Sequence, residues 1–297
     1  MRGMSKPARA AALFLAVLTS LLALSCGGGG EKARKSGEFI VGLEGSPSNL
    51  DPRYASDAHS VRIVPLIFGS LLAESPRGEL LPDLAENYEA PDPLTHKITL
   101  KSGITFHDGS PLTSKDIAAT YRFVMDPSNG SPMAGSLKAL ERIETPDEKT
   151  VIFRLKELFV SFPYQLRLGI LPERLAVKKD LGEELIGCGP FRLEKIKSGE
   201  EISLVRNDFY FGGAPKLGSV RFRILQNATT RLLELKSGGI DLLQNAVPPY
   251  SVKFLEKEEG LSVIRAPGPS YQYLGFNFDD KILGNEKVRR AIAHAID

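Results

Sequence analysis

The chain has 297 residues, of which 42% are hydrophobic and 25% charged, so its composition lies near the globular average and excludes a wholly disordered protein. Lys and Arg number 38 against 36 Asp and Glu. Three of the basic residues (Arg2, Lys6 and Arg9) lie at the N-terminus, so the body is nearly neutral and a nucleic-acid partner is not expected. The two cysteines are too few for a disulfide framework or a cysteine-rich zinc site.

The N-terminus has the pattern of a cleaved targeting segment. Residues 10–24 carry no charge, and this run is short for a membrane span but typical of a signal-peptide core. Ser25 and Cys26 follow, and this ending resembles the lipidation site of bacterial lipoproteins. The resemblance implies that residues 1–25 are removed, that Cys26 carries the lipid, and that residues 26–37 form a flexible tether. An ordinary signal peptide cleaved elsewhere and a retained membrane anchor are the alternatives.

Short strands and helices alternate along the first half of the remaining chain. The apolar, β-branched stretch Glu38–Glu44 predicts a first strand that ends in a turn-rich loop. Val61–Leu72 predicts a buried helix with a kink at Pro65. Two further strands are predicted at His96–Leu100 and Gly103–Phe106. This alternation indicates a mixed α/β fold.

One helix start in this half has a specific signal. Thr113 and Asp116 have the spacing of a capping box, in which a hydroxyl and a carboxylate satisfy backbone N–H groups at the start of a helix. Behind it, Ile117, Tyr121 and Val124 recur at helical spacing. They predict the face of this helix that packs into the core.

The second half continues the alternation. Runs of β-branched and aromatic residues predict strands at Thr150–Leu155, Phe191–Ile196, Ile202–Arg206, 220–224, Ile240–Leu243, Leu261–Arg265 and Tyr271–Phe278. Lys197–Glu200 predicts a hairpin turn between two of these strands. A helix at Leu232–Lys236 is expected to end at Gly238, and a last helix is expected to begin after Asn285.

The residues that could carry catalysis are few, and each has a structural interpretation. His107 and Asp108 could form a general base with its orienting acid, but Gly109 completes a turn there, which favours a strand-end histidine beside a turn aspartate. Cys188 could be a nucleophile, but nothing nearby in sequence would lower its pKa, which favours a buried small residue. The histidines lack the spacing of metal ligands. We therefore expect no enzyme, no cofactor and no metal.

Eight segments of the chain follow an order that is typical of one protein family. The most specific is Ile98–Ile117, which contains the run F-H-D-G-S-P-L-T-S-K-D-I. The others are Ser48–Pro52, Leu81–Tyr88, Gly187–Phe191, Asn207–Pro215, Gly238–Asp241, Leu274–Asn277 and Val288–Asp297. Together they resemble the family 5 extracellular solute-binding proteins of ABC importers, which include dipeptide-, oligopeptide- and nickel-binding proteins.

The resemblance implies a bilobal α/β fold like that of the type II periplasmic binding proteins, with an extra inserted domain. It implies a discontinuous domain I, residues 38–72 plus 186–266. Domain II, residues 73–185, is inserted between the two parts. Residues 267–297 would be the start of domain III, so the second lobe would be incomplete and the chain a C-terminally truncated member.

The function implied by the resemblance is that of a lipid-anchored, monomeric solute-binding subunit. It would capture di- or oligopeptides in the periplasm or at the outer face of the cell membrane, and deliver them to the permease and ATPase subunits of an importer. A nickel, heme or sugar binder of the same family is the alternative within the class. A secreted hydrolase, and a sensor or chaperone with the same lobes, are alternatives from other classes.

The resemblance also indicates ligand-binding residues. They are Ala55, Ser56, Asp57, Ala58 and His59 in the early loop, Met133 in domain II, and Tyr271, Tyr273 and Asn277 in the predicted strand that enters domain III. For each of them a surface or packing role is the alternative, because one strand exposes either face.

Overall fold

A computed structural model describes residues 37–266 and 273–296. The chain divides into two compact units, Met1–Pro248 and Pro249–Asp297. Domain III was predicted to begin at residue 267, whereas this division lies earlier in the chain. None of the described helices is long and apolar enough to cross a membrane.

The described part of the first unit contains both strands and helices. The strands are β1 (Glu38–Leu43), β2 (Leu72–Glu74), β3 (Leu80–Pro82), β4 (Ala85–Asp92), β5 (Thr95–Leu100), β6 (Leu140–Glu144), β7 (Thr150–Leu155), β8 (Phe191–Lys197), β9 (Glu201–Arg206), β10 (Ser219–Ile224) and β11 (Leu242–Leu243). The helices are α1 (Ser60–Ile67), α2 (Ser114–Met125), α3 (Glu173–Ala176) and α4 (Ala228–Ser237). Short 3-10 helices cover Pro127–Asn129, Ala134–Leu137 and Phe162–Arg167. In the second unit, α5 spans Pro249–Leu255 and α6 spans Glu286–Ala295.

A five-stranded sheet with the order β11-β1-β10-β9-β8 organises the first core. Strand β1 runs parallel to both β10 and β11, and β8 and β9 continue the sheet as an antiparallel hairpin. The strand predicted at 220–224 is confirmed as β10, in which Val220 and Phe222 alternate with two arginines and are buried. They pack with Val41 and Leu43 of β1 and with Ile63 of α1. The sheet thus joins β1, at the start of the described chain, to four strands that come more than 140 positions later, from Phe191 onward.

The chain from β2 to Ile170, which we call the inserted segment, has its own sheet and its own core. Strands β4, β5, β7 and β6 form an antiparallel sheet in that order, and helix α2 packs against it. The fully buried Ile98, Tyr121, Phe153 and Phe162 lie at the centre of this core. The core extends to Ile170, and the buried residues from Leu171 to Leu185 pack with the five-stranded sheet instead. The predicted domain II, residues 73–185, therefore contains residues from both cores.

The helix signals in the sequence are confirmed. The Asp116 carboxylate accepts a hydrogen bond from the Thr113 N–H at 2.7 Å, and the Thr113 hydroxyl accepts one from the Asp116 N–H, as the capping box requires. Helix α4 ends at Gly238, whose positive φ of 78° is the left-handed conformation typical of a helix C-terminus. The side chain of Asn285 accepts a hydrogen bond from the Lys287 N–H at the start of α6. Local chemistry sets these boundaries, and a local pattern predicts them.

Three strand predictions are wrong among the described residues. Gly103–Phe106 forms no strand, because its backbone closes a tight turn in which the Phe106 N–H donates to the Ser110 carbonyl at 2.9 Å. Leu261–Arg265 and residues 273–278 have no strand partner in the described chain. The described part of the predicted strand Tyr271–Phe278 therefore lies in no sheet.

The predicted helix Val61–Leu72 is also shorter in the structure. It ends at Ile67, and the following residues leave α1 to pair with another segment. The Ile170 N–H donates to the Gly69 carbonyl at 2.9 Å, and Ser70 bridges to Gly169. The backbone of Gly69 and Ser70 thus connects the two cores.

Candidate functional site

The carboxyl ends of β11, β1 and β10 lie at one edge of the five-stranded sheet. These three strands are parallel, so the chain leaves each of them at the same edge, which we call the carboxyl edge. Open α/β sheets bind their ligands at this edge. The carboxyl edge here is formed by the loop of residues 44–59 after β1, residues 225–227 after β10, and residues 244–246 after β11.

Asp57 fixes the loop after β1. Its carboxylate accepts hydrogen bonds from the N–H of Ser48 at 3.1 Å, of His59 at 2.9 Å and of Ser60 at 3.0 Å. The hydroxyls of both serines also donate to it. Burial raises the pKa of Asp57, but the hydrogen bonds from Ser48 and Ser60 outweigh burial and hold that pKa well below its usual range. The ionised carboxylate therefore orders the loop.

Arg53 anchors the same loop to the chain that follows the inserted core. Its side chain is fully buried, and its guanidinium pairs with Asp51 at 2.5 Å. It also donates to the carbonyls of Ala176 and Lys178, each at 2.8 Å. The ring of Phe123 lies 3.8 Å from the guanidinium carbon, in cation–π geometry. All three nitrogens of this guanidinium have acceptors within the protein, so Arg53 positions the loop.

The segment of Met133 is held beside this loop. The hydroxyl of Ser131 donates to the Arg53 carbonyl at 2.6 Å, and the Tyr54 hydroxyl donates to the Asn129 carbonyl at 2.7 Å. The Met133 N–H in turn donates to the Ser131 hydroxyl at 3.2 Å. Met133 is partly buried against the core of the inserted segment.

The other predicted loop residues differ in exposure. Ala55 is buried in the core of the five-stranded sheet, so only its backbone could reach a solute. Ser56 and Ala58 are exposed, and His59 is partly buried. A side chain added at Gly45 would place its Cβ 3.0 Å from Nε2 of His59, so the His59 ring lies against the start of the loop.

The remaining predicted residues lie in the second unit or outside the described chain. Tyr273 is 81% exposed, which argues against a core role within the described residues. Asn277 is exposed, and its side chain accepts a hydrogen bond from the Asp279 N–H at 3.1 Å. Tyr271 and Cys26 lie outside the described residues.

Two residues at the carboxyl edge were missed by the sequence reasoning. The guanidinium of Arg231 donates to the carbonyls of Leu225 and Gln226, at 2.6 and 2.8 Å, and to the carbonyl of Ala246 at 3.3 Å. These carbonyls follow β10 and β11, the two neighbours of β1, so Arg231 links the chain on both sides of the end of β1. The second residue is Glu44, which directly follows β1. The sequence indicated Glu44 only as the last residue of the first predicted strand.

Buried polar atoms without a partner collect at this edge. They are Oε2 of Glu44, Nδ1 of His59 and Nε of Arg231, and the other two such atoms among the described side chains belong to His96 and Arg221. A buried polar atom left without a hydrogen bond costs about 1–3 kcal/mol, so such atoms are rare in native cores and require an explanation. The carboxyl edge therefore has the unmet hydrogen-bonding capacity of a polar binding site.

The residues considered for hydrolysis hold the two cores together. The ring of His107 accepts from the Gly187 N–H at 3.3 Å through Nδ1, and its Nε2 lies 3.1 Å from the Gly189 carbonyl, to which it donates. Asp108 accepts from Ser110 and from Arg174. These contacts leave neither side chain arranged as a general base with its orienting acid.

Cys188 lies between the two glycines of this turn and is almost fully buried. Burial raises the pKa of its thiol to about 12, so the nucleophilic thiolate does not form near neutral pH. Within residues 37–266 and 273–296, no three His, Cys, Asp or Glu side chains are grouped as metal ligands would be.

Comparison with known proteins connects this architecture to a family of binding proteins. The profile of the bacterial extracellular solute-binding proteins, family 5 Middle, matches residues 79–297. The oligopeptide-binding protein AppA of Bacillus subtilis (strain 168) is 29% identical over 279 residues, which cover 90% of this chain and 51% of AppA. The structure of AppA in complex with a nonapeptide superposes with a TM-score of 0.79 at 28% identity, over 88% of this chain and 54% of AppA.

A second solved structure gives the same result. The ABC transporter substrate-binding protein CtaP from Listeria monocytogenes superposes with a TM-score of 0.78 at 30% identity, over 88% of this chain and 55% of CtaP. The chain thus spans about half the length of the relatives that it matches. These matches confirm the α/β fold class predicted from the sequence. The chain belongs to the bacterial extracellular solute-binding proteins of family 5.

Proposed function

We propose that this chain is the solute-capturing subunit of an ABC importer and that it binds di- or oligopeptides. The observation that carries the proposal is the set of unpartnered polar atoms of Glu44, His59 and Arg231 at the carboxyl edge. A peptide offers alternating N–H donors and carbonyl acceptors, so an extended peptide at this edge would satisfy both kinds of group. AppA, whose structure contains a nonapeptide, has the same fold.

The loop after β1 is suited to this role because it is ordered before any solute arrives. Asp57 and Arg53 use their own hydrogen bonds to fix its course, so binding need not order it again, and affinity is greater when this cost is avoided. Ser56, Ala58 and His59 would line the solute from this loop, and Met133 would approach it from the inserted segment. Tyr271, Tyr273 and Asn277 remain proposed contacts from the second unit.

We further propose that the protein acts outside the cell membrane as a monomer, held there by a lipid on Cys26, and delivers solute to a permease and its ATPase. We propose that it has no enzymatic activity. The contacts of His107 and Asp108, together with the buried thiol of Cys188, support this part of the proposal.

Equilibrium dialysis of the purified protein tests the solute. A mixture of synthetic peptides of two to nine residues would be offered in one chamber and Ni²⁺ in another, and bound solute would be identified by mass spectrometry or metal analysis. We expect peptides to be retained. Retention of Ni²⁺ without peptide, or of neither, would overturn the peptide assignment.

Two matched variants test whether peptides bind at the carboxyl edge. Glu44→Gln removes the charge of the unpartnered acid, and we expect it to weaken peptide binding about tenfold, the scale of one hydrogen bond to a charged group. Glu86→Gln changes an exposed acid on β4 and is expected to leave affinity unchanged. Equal peptide affinities for the two variants would show that peptides do not bind at Glu44.

A further inference from the structure

A cavity lies at the edge of the five-stranded sheet opposite to the carboxyl edge. Its volume is about 430 Å³, and it is lined by residues 105–109 on one side and by Arg192 with residues 206–209 on the other. The Arg206 N–H donates to the carbonyl of Gly218, and the Gly218 N–H donates to that of Gly37. Gly218 and Gly37 precede β10 and β1, so the cavity lies where these parallel strands begin. It is therefore separate from the proposed peptide site.

The acids that line this cavity are already paired. Nε of Arg206 donates to Asp208 at 2.6 Å. Asp108 accepts from Ser110 at 2.6 Å and from Arg174 at 2.7 Å. Burial raises the pKa of Asp108, but the hydrogen bonds from Ser110 and Arg174 outweigh burial and lower it to about 2. Both acids thus already have partners within the protein.

Arg192 supplies the positive charge that remains. Within the described residues its guanidinium makes no hydrogen bond and no ion pair. Arg206 engages Asp208 through Nε and is paired across the strands with Phe191, so its side chain leaves the hairpin on the face opposite to Arg192. A guanidinium offers parallel N–H groups that match the two oxygens of a carboxylate. The guanidinium of Arg192 therefore gives the cavity a pair of unused donors that suit an anion.

The rest of the lining is aromatic or uncharged. Phe209 is 86% exposed and forms an apolar wall, and the buried Phe106 lies on the opposite side. The ring of His107 is held by Gly187 and Gly189, and burial lowers its pKa, so His107 contributes no charge at neutral pH. Cavities of this size, mostly apolar with a few placed polar groups, are typical of small-molecule sites.

We propose that this cavity binds a small organic monoanion, a carboxylate carried on an apolar ring. The carboxylate pairs with Arg192, and the ring packs against Phe209. Because the two walls belong to the two cores of the first unit, a ligand here contacts both of them. The site is independent of peptide binding and would persist if the peptide assignment were wrong.

Titration of the purified protein with three probes tests this proposal. Benzoate has both the charge and the ring, benzamide has the ring without the charge, and acetate has the charge without the ring. By isothermal titration calorimetry we expect benzoate to bind at least about tenfold more tightly than either of the others, since each lacks one of the two contacts. In two-dimensional NMR spectra, benzoate is expected to shift the backbone amides of Gly109 and Phe209.

Variants assign the binding to this cavity. Arg192→Gln and Phe209→Ser change exposed side chains, and each is expected to weaken benzoate binding about tenfold. Arg77→Gln, at an exposed arginine in the turn between β2 and β3, is the control and is expected to bind benzoate as the unaltered protein does. Absence of benzoate binding, equal binding of benzamide, or full affinity in Arg192→Gln would overturn the proposal. Acetate binding as tight as that of benzoate would also overturn it, because a bare carboxylate, such as one in a protein segment, would then suffice.

Discussion

The buried guanidinium of Arg53 illustrates how one side chain sets the position of a loop. Its charge is compensated by Asp51 and by two carbonyls, and its flat face is covered by Phe123. A buried pair of this kind contributes little net stability when intact, but removing one partner leaves an uncompensated buried charge. Arg53 is therefore a sensitive position although it does not face the solute.

We expect Arg53→Met to lower the free energy of unfolding by about 3–5 kcal/mol, because Asp51 is then left unpaired. Arg53→Lys keeps the charge but cannot reach both carbonyls with a fork, so a smaller loss is expected. Urea denaturation followed by circular dichroism measures both. Arg77→Met, at an exposed arginine, serves as the control and is expected to stay within about 0.5 kcal/mol. A loss below about 1 kcal/mol for Arg53→Met would show that the loop can rearrange around Asp51.

The buried ring of His107 makes stability depend on pH. Burial lowers its pKa in the folded protein, whereas the unfolded chain takes up a proton near pH 6.5. A histidine of lowered pKa contributes stability that is present above the unfolded pKa and lost as the pH falls below it. The protein is therefore expected to be less stable at about pH 5.5 than at about pH 7.5.

The variant His107→Gln tests this assignment. It cannot gain a proton, so the loss of stability between the two pH values is expected to shrink, measured as the difference in unfolding free energy. Some pH dependence is expected to remain, because burial also lowers the pKa of His96. His294→Gln, on an exposed position of α6, is the control that should keep the original dependence. Identical pH dependence in His107→Gln and the unaltered protein would remove His107 from this role.

At the scale of elements, the turn of residues 187–190 shows why two glycines are required. A Cβ at Gly187 would collide with the Ile67 carbonyl oxygen, and one at Gly189 would lie 2.6 Å from the Ile67 carbonyl carbon. The Gly189 N–H also donates to that carbonyl at 2.9 Å. The end of α1 and this turn thus approach more closely than any side chain permits.

We expect Gly189→Ala to destabilise the protein by about 1–3 kcal/mol, the usual cost of overpacking. Gly135 provides the matched control, because a Cβ there meets nothing within 4 Å and its φ is not positive. Gly135→Ala is expected to be neutral or slightly stabilising. Thermal unfolding of both variants decides between a steric and a general effect of adding a methyl group. Equal melting temperatures would mean that α1 can move away at little cost.

The sequence predicts features that depend on residues close together in the chain better than features that depend on distant ones. The capping box at Thr113 and the hairpin between β8 and β9 were predicted correctly, because neighbouring residues determine them. Gly103–Phe106 was wrongly predicted as a strand, because the following turn closes the segment on itself. Glu44 and Arg231 were missed because their unmet hydrogen bonds follow from the strand order, which brings residues about 190 positions apart to one edge.

At the scale of the whole molecule, attachment to the membrane is expected to depend on one atom, the sulfur of Cys26. A lipid chain contributes about 0.8 kcal/mol for each buried CH₂ group. We expect Cys26→Ala to move the protein from the membrane fraction to the soluble fraction of bacterial cells, measured by immunoblotting after sedimentation. Ser25→Ala, which leaves the thiol in place, is the control. Retention of Cys26→Ala on membranes after a high-salt wash would contradict the lipid anchor.

The position of β1 between β10 and β11 has a consequence for how the chain acquires its structure. Glu38 of β1 pairs with Ser219 of β10, so the five-stranded sheet cannot be completed until most of the chain has left the ribosome. The sheet β4-β5-β7-β6 has much shorter connections, and closing a short loop costs less entropy than closing a long one. Once folded, it holds Ser70 beside Gly169, which shortens the effective path between β1 and its partners.

The inserted segment is therefore expected to fold first. Strand β1 is expected to pair with β10 and β11 only afterwards. Pulsed hydrogen exchange during refolding should show protection of amides in β5 and β7 before those in β1 and β10. Simultaneous protection of all four strands would indicate instead that the two cores condense together.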